Sequence, residues 1–218
     1  MSDLPYPLDP YGMKSSSQND EDGIIAEIIK HIPMPRYFVE IGCDPHEANC
    51  LYLQRQGWKG LFLDAEKSAP WIRKEWISAG NIMEVLDKYK VPSDFGILSI
   101  DIDGQDFWVW RELEGRFYPC LVVIEYNGKL AIDHDYVIPR DDNFKIQGQL
   151  YGASLKVMNE LAVRKGYTLV YANGVNAFFV RTYFLDNRYD FQYEKLYRRW
   201  PTEHIHDPLK MGFIRWAE

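Results

Sequence analysis

Positive charge, paired cysteines and long hydrophobic runs are all scarce in this sequence of 218 residues. The formal net charge of −7 argues against a nucleic-acid partner, because phosphate binding favours a basic face. The cysteines, Cys43, Cys50 and Cys120, have no CxxC spacing, which is typical of reduced thiols. No run approaches the ~20 apolar residues that span a bilayer, and MSDLPYPLDPYG does not resemble a secretory signal. We therefore predict a cytoplasmic protein that binds neither nucleic acid nor membrane.

Apolar residues make up 46% of the chain and charged residues 26%, which is ordinary globular composition. We predict one folded domain over residues 19–183, preceded by a Pro- and Ser-rich arm over residues 1–18. The aromatic and charged residues 184–218 are predicted to form a helix and a tail, acting as a lid or as a subunit contact. The sequence therefore leaves undecided whether the chain forms a homo-oligomer.

Strand and helix patterns alternate along the domain, and this alternation is typical of a mostly parallel sheet with helices on both faces. We predict a Rossmann-like sheet of seven strands that ends in an antiparallel hairpin. The predicted helices are NDEDGIIAEIIKHI, PHEANCLYLQRQ, GNIMEVLDKYK, FWVWREL and GASLKVMNELAVRKG. The predicted strands are YFVEIGC, GLFLDAE, FGILSID, CLVVIEYN, YTLVYANG and NAFFVRT.

Four predicted strands each end in an acidic residue, at Glu40, Asp64, Asp101 and Glu125. In a doubly wound sheet the carboxyl ends of the strands form the edge where ligands bind. Removing a carboxylate from water is costly. A carboxylate at the end of an apolar run therefore usually binds a cation, binds a ligand hydroxyl or transfers a proton, or else it faces water. Four acids at one edge favour a ligand site over four unrelated turns.

The first two strand ends are consistent with a nucleotide-like cofactor. Gly42, two residues after Glu40, would let the backbone approach a ligand closely, and Asp64 could accept hydrogen bonds from two ribose hydroxyls. No GxGxxG is present, so a pyrophosphate cradle is not supported. In the alternative interpretation Glu40 caps a neighbouring amide and Asp64 only begins a turn.

Five blocks of the sequence occur in a recognisable order: SSSQNDEDGII, FVEIGCDPHEANCLYLQRQGWKGLFLDAE, LSIDIDGQDFWVWREL, VVIEYN and YGASLKVMNELAVRKGYTLVYANGVNAFFVR. Together they resemble the FkbM-type S-adenosylmethionine-dependent methyltransferases. The resemblance covers roughly residues 15–182 and implies a seven-stranded methyltransferase sheet. The sequence departs from the pattern at Cys43-Asp44-Pro45-His46, where methyltransferases commonly have a glycine-rich run, and this leaves the contacts to the methionine end open.

The resemblance also implies a position around S-adenosylmethionine for each matched residue. Glu40 and Gly42 would line its amino-acid end, and Asp64 would hold the ribose. Ser78 and Asn81 would lie near the adenine. Gln18 would approach from above, and Asp101 would lie beside the sulfonium and the methyl acceptor.

Transfer of a methyl group to an alcohol is an in-line displacement that needs alignment and loss of the hydroxyl proton. A general base or a divalent cation can meet that need. Asp101, Asp103, Glu125 and Asn127 offer the hard oxygen ligands that Mg²⁺ or Mn²⁺ prefers, in an arrangement similar to metal-dependent catechol-type O-methyltransferases. Without a metal, Asp101 or His134 would be the base.

His134 lies in the loop that is expected to cover the acceptor. Its neighbours Asp133 and Asp135 could raise its pKa and hold it as imidazolium, or it could be an ordinary surface histidine. Tyr126 and Tyr151 are candidates for stacking on a sugar.

We predict an O-methyltransferase that acts on a hydroxyl of a sugar or sugar-like metabolite, nucleotide-linked or a polysaccharide precursor. The main alternative is a nucleotide-sugar glycosyltransferase, because its metal-binding DxD motif also follows an apolar strand and SIDID fits it. A non-catalytic binding module on the same scaffold is the second alternative.

Overall fold

A seven-stranded sheet forms the centre of the protein. The computed structural model describes residues 3–66, 68–146, 148–186, 192–202 and 204–217. The strands are β1 Tyr37–Ile41, β2 Lys59–Asp64, β3 Ile72–Lys74, β4 Ile97–Ile100, β5 Leu121–Glu125, β6 Tyr136–Val137, β7 Tyr167–Ala172, β8 Asn176–Arg181 and β9 Ile214–Arg215. The order in the sheet is β3-β2-β1-β4-β5-β8-β7. Neighbouring strands from β3 to β5 in this order are parallel, and β8 runs antiparallel to both β5 and β7. The predicted sheet and its terminal hairpin are therefore confirmed.

Helices cover both faces of this sheet, as predicted. They are α1 Glu21–His31, α2 Leu51–Arg55, α3 Ile82–Lys88, α4 Asp106–Glu112, α5 Leu155–Arg164, α6 Tyr193–Leu196 and α7 Pro208–Met211. Alternate strand residues supply two separate cores, because successive side chains of a strand point to opposite faces. Val39 packs with α3, α4 and α5, whereas Phe38 packs with α1 and α2.

Two elements differ from the sequence prediction. The helix predicted over residues 45–56 begins only at Leu51, because the Glu40 carboxylate binds the backbone N–H groups of Asn49 and Cys50 and holds the preceding residues in a loop. The seventh strand, β3, has only three residues, so no periodic pattern located it.

The C-terminal residues pack against the segment that follows β5. The β9 strand pairs with β6, the Tyr126 hydroxyl donates to the carbonyl of Arg198, and Trp200 N–H donates to the carbonyl of Gly128. Of the predicted C-terminal helix and tail, residues 187–191, 203 and 218 lie outside the described residues, and the rest contains the short helices α6 and α7. In the described part of the chain no helix is long and apolar enough to cross a membrane.

Gly42 joins the ends of β1 and β4. Its φ is +78°, a left-handed conformation that glycine adopts without steric cost. A Cβ at this position would lie 1.5 Å from the carbonyl oxygen of Asp101, and Asp101 N–H donates to the carbonyl of Ile41. From the sequence, Gly42 is expected to let a ligand approach the backbone closely; in the structure, the group that approaches it closely is the backbone of Asp101.

We predict that Gly42→Ala is far more destabilising than Gly57→Ala. Gly57 also has positive φ, at +83°, but no described atom lies within 4 Å of a Cβ built there. Gly57→Ala should therefore cost only about 1–2 kcal/mol, for the left-handed backbone. Gly42→Ala should cost at least about 2 kcal/mol more, because the new methyl overlaps a carbonyl oxygen. Urea unfolding measures both, and equal losses would contradict the close contact between the two strand ends.

Candidate functional site

A cavity of about 960 Å³ opens at the carboxyl ends of β1, β2, β4 and β5. Its other walls include residues 18–19, 47–49, 75–78, 141–142, 144–146 and 174–176 and the C-terminal residues Trp200 and Thr202. Eleven carboxylate residues line it, against two cationic ones, Lys129 and Lys145. A negative potential of this kind favours a positively charged ligand.

Most of the predicted site residues meet in this cavity. Those that line it are Gln18, Glu40, Gly42, Asp64, Ser78, Asp101, Asp103, Glu125 and Tyr151. The convergence of four acid-bearing strand ends, predicted from the alternating pattern, is therefore what the fold produces. Asn81, Tyr126, Asn127 and His134 do not line the cavity.

Glu40 is buried, and both of its carboxylate oxygens are already used. One accepts from Asn49 N–H and the other from Cys50 N–H, each at 2.7 Å. Burial raises the pKa of Glu40 to about 7, although these two hydrogen bonds oppose the shift. The capping role that the sequence left as an alternative is the one observed, and Glu40 fixes the start of α2 beside the cavity.

Three carboxylates form a cluster at the centre of the cavity. Asp101, Asp103 and Glu125 each offer an oxygen, and these oxygens lie within 4.8 Å of one another. Burial, followed by repulsion from neighbouring carboxylates, raises the pKa of both Asp101 and Glu125 well above its ordinary value. Burial and the Asp64 charge likewise raise the pKa of Asp103. Asp103 has a φ of +54°, an uncommon conformation for a residue other than glycine.

Glu125 is the member of this cluster that has a buried oxygen without a hydrogen-bond partner in the described part of the chain. Its exposed fraction is 8%, and its buried Oε2 has no hydrogen-bond partner among the described residues. A buried acceptor without a partner costs about 1–3 kcal/mol. A divalent cation would remove that cost and the repulsion among the three carboxylates, so the residues present fit an oxygen-preferring ion such as Mg²⁺ or Mn²⁺.

Asp106 is a site residue that the sequence analysis missed. Its buried carboxylate accepts from Ile102 N–H and Gly104 N–H, both at 2.9 Å, and thereby holds the turn that presents Asp101 and Asp103. Burial raises the pKa of Asp106 to about 6, with those two bonds opposing. An acid at the first position of a helix is a recognisable signal for such contacts with the preceding backbone.

Asn127 and Tyr126 do not have the predicted roles, because other segments of the chain occupy their polar atoms. The Asn127 amide donates to the carbonyls of Gln149 and Tyr151, and its Oδ1 accepts from Lys129 N–H, so it holds the loop and is no metal ligand. Tyr126 is buried in the core with its hydroxyl on the Arg198 carbonyl, so it cannot stack on a sugar.

His134 is also misassigned by the sequence. Its Nδ1 accepts from Ala131 N–H at 3.1 Å, and its ring meets the edge of Tyr136. Partial burial lowers the pKa of His134, and this outweighs the opposing charges of Asp133 and Asp135. A structural histidine outside the cavity is therefore observed instead of an imidazolium over the acceptor.

Asn81 acts through the loop that precedes it. Its Oδ1 accepts from Ser78 N–H at 2.9 Å, and its Nδ2 donates to the Trp76 carbonyl at 2.7 Å. These bonds shape residues 76–81 and bring Ser78 to the cavity wall, so Asn81 supports the site without lining it.

Residues 14–22, called here the N-terminal strap, close one side of the cavity. The buried Asp22 carboxylate accepts from the backbone N–H groups of Ser15, Ser16 and Ser17 at 2.6–2.8 Å. The Ser16 carbonyl accepts from Ala48 N–H at 2.7 Å, which ties the strap to the loop after β1. This anchoring brings Gln18 to the cavity wall.

Glu21 connects the strap to the β7–β8 hairpin. It is fully buried and accepts hydrogen bonds from the side-chain amides of Asn19, Asn173 and Asn176 and from Asn19 N–H. Burial alone would raise the pKa of Glu21, but the bonds from Asn176, Asn173 and Asn19 outweigh it and the pKa lies below its ordinary value. Glu21 is therefore an ionised acceptor.

Comparisons with known proteins give distant structural similarity only. No family model matches the sequence, and no curated protein matches it. MycE methyltransferase from the mycinamycin biosynthetic pathway, solved with Mg, SAH and mycinamycin VI, is 14% identical with a TM-score of 0.39, over 66% of this chain and 44% of that one. A second MycE structure, with Mg and SAH, is 15% identical with a TM-score of 0.40, over 73% and 49%. The chain thus spans less than half of each matched chain.

We predict that Asp22→Ala releases the N-terminal strap. Three backbone N–H groups lose a charged acceptor, and at about 1.5–3 kcal/mol for a single bond to a charged group the loss should be on the order of 3 kcal/mol. Asp22→Asn keeps one acceptor oxygen and should lose less. Urea unfolding gives the stability, and hydrogen exchange at residues 15–17 gives the local effect. Unchanged exchange in Asp22→Ala would contradict the anchoring role.

Proposed function

We propose that the protein is an S-adenosylmethionine-dependent O-methyltransferase of the FkbM type. The observation that carries the proposal is the acid-lined cavity at the carboxyl ends of four strands. Its carboxylates divide into a cofactor half around Asp64 and a reacting half around Asp101 and Glu125. The blocks of sequence that resemble FkbM-type enzymes contribute residues to both halves.

The cofactor half suits a nucleoside that carries positive charge. Asp64 is the last residue of β2 and lines the cavity wall, a position from which its carboxylate would accept hydrogen bonds from the ribose hydroxyls. Ser78 and Trp76 line the part of the wall that we assign to the adenine, and Gln18 in the N-terminal strap would cover the cofactor. A sulfonium and an ammonium are favoured by the surrounding carboxylates, whereas a pyrophosphate is not.

The reacting half must align an alcohol with the methyl group and remove its proton. We assign Asp101, Asp103 and Glu125 to a divalent cation, Mg²⁺ or Mn²⁺, which when bound would lower the pKa of the acceptor hydroxyl. Asp106 keeps Asp101 and Asp103 in place through its bonds to the turn between them. We also assign Asp101, which follows β4 and lines the cavity, as the base that takes the proton of the acceptor hydroxyl.

The acceptor side of the cavity supports a sugar or sugar-like alcohol. Tyr151 and Trp200 offer rings and Lys129 a donor along this wall. Burial raises the pKa of Tyr151 well above its ordinary value, so its hydroxyl stays protonated and can donate. Because Trp200 and Thr202 line the cavity, we further propose that the C-terminal residues act as a lid on a single domain that extends over residues 19–183.

S-adenosylhomocysteine should stabilise the protein, and Asp64→Ala should weaken that effect. At 100 times its dissociation constant the ligand contributes about 2.7 kcal/mol. Loss of a charged acceptor for ribose hydroxyls should weaken binding by roughly tenfold or more. Thermal shift and calorimetry measure both effects.

Asp94→Ala is the matched control for Asp64→Ala, because Asp94 is an exposed acid that pairs with Arg181 before β4, away from the cavity. Its affinity for S-adenosylhomocysteine should equal that of the unaltered protein. Stabilisation by uridine or guanosine diphosphate with Mn²⁺, and none by S-adenosylhomocysteine, would instead favour the glycosyltransferase alternative.

Glu125→Gln should not lower the melting temperature of the metal-free protein, but it should abolish the stabilisation by Mn²⁺. In the metal-free protein the melting temperature should stay equal or rise, because the change removes repulsion among the three carboxylates. Mn²⁺ should stabilise the unaltered protein and fail to stabilise the variant. Asp101→Ala should likewise lose the Mn²⁺ effect while it keeps S-adenosylhomocysteine binding.

Glu75→Gln is the control for the metal experiment. Glu75 also lines the cavity, but its carboxylate is paired with Lys88 and Tyr89. Mn²⁺ should stabilise this variant as much as the unaltered protein. If Mn²⁺ does not change the melting temperature of the unaltered protein, the proposed cation site is wrong. Asp101 would then act as the base without a metal.

A further inference from the structure

Two residues that are paired across the sheet each have a buried oxygen atom without a hydrogen-bond partner among the described residues. Glu125 and Asn176 are directly opposed in the β5–β8 ladder, so their side chains leave the same face of the sheet. Both residues line the cavity. The two atoms are Glu125 Oε2 and Asn176 Oδ1. Two buried acceptors on one face of the sheet require donors or a cation.

The orientation of the Asn176 amide is fixed by the chain. Its Nδ2 donates to Glu21 Oε1 at 3.0 Å. Glu21 receives only donors, from Asn19, Asn173 and Asn176, so it cannot accommodate the oxygen end of the Asn176 amide. The Asn176 oxygen must therefore point away from Glu21, on a side where none of the described residues donates to it.

We propose that Asn176 is a further residue of the cation site, and that its amide oxygen accepts a hydrogen bond from a water bound to the cation. The inference rests on the proposed cation at Asp101, Asp103 and Glu125. A neutral oxygen suits this position, because it adds an acceptor without a further negative charge among three carboxylates. Glu21 is then a positioning residue, since it sets which end of the amide faces the cation.

The test is the affinity for Mn²⁺, measured by electron paramagnetic resonance on the full chain without any methyl acceptor. Asn176→Leu keeps the number and branching of the side-chain heavy atoms and removes both the amide oxygen and the donor to Glu21. Loss of a partner that orients a metal's surroundings typically lowers metal affinity 10–100-fold, and we expect a decrease in that range. Tyr171→Phe is the control, because Tyr171 lies on the adjacent strand β7 and its hydroxyl donates to Asp20, and it does not line the cavity. Its Mn²⁺ affinity should not change.

A second substitution at the same position separates a binding role from a structural one. Asn176→Asp keeps an acceptor oxygen at this position, and its other oxygen can carry a proton that it donates to Glu21. Mn²⁺ affinity should therefore stay at least at the level of the unaltered protein. A loss in Asn176→Leu that Asn176→Asp shares would overturn the proposal, as would unchanged affinity in Asn176→Leu. If the unaltered protein itself binds no Mn²⁺, the cation site of the proposed function fails.

Discussion

Repulsion among carboxylates at one edge of the sheet is the constraint that organises this structure. Each buried acid there would destabilise the fold unless a donor compensates it. Glu40 is compensated by the start of α2, Asp106 by the turn before α4, and Asp22 by three serine N–H groups. Backbone amides, which are fixed in place by secondary structure, therefore hold the frame of the cavity.

The cluster of Asp101, Asp103 and Glu125 differs from these hydrogen-bonded acids. Glu125 keeps a buried oxygen without a partner, and Asp101 and Asp103 lie within reach of it. A purely structural acid would gain stability from a donor, as Glu40 and Asp106 do. An uncompensated buried oxygen among acids that are otherwise hydrogen-bonded lowers the stability of the fold, and such a local loss of stability is expected at a functional site. The contrast between the two sets of acids therefore supports a ligand at the cluster more strongly than the number of acids does.

The sequence predicts the frame of this site better than its details. Alternating strands and helices suffice to bring Asp64, Asp101 and Glu125 to one edge, because parallel strands present their carboxyl ends together. Asn127 and His134 could not be assigned in this way, since their partners belong to a long loop whose path depends on tertiary contacts. Asn176 is found only through the register of the antiparallel strand β8, which sequence periodicity does not give.

Both ends of the chain are tied to the parts of the fold that carry the site. The N-terminal strap is anchored by buried, charge-assisted hydrogen bonds to Asp22 and by the Ser16–Ala48 bond. The C-terminal side is held by the β6–β9 pairing and by hydrogen bonds to the segment after β5, where the Tyr126 hydroxyl donates to the carbonyl of Arg198 and Trp200 N–H donates to the carbonyl of Gly128. The exposed Arg198–Asp9 ion pair at 3.0 Å adds only about 0–1 kcal/mol. Because these hydrogen bonds begin directly after β5, the C-terminal wall of the cavity is fixed to the strand that carries Glu125.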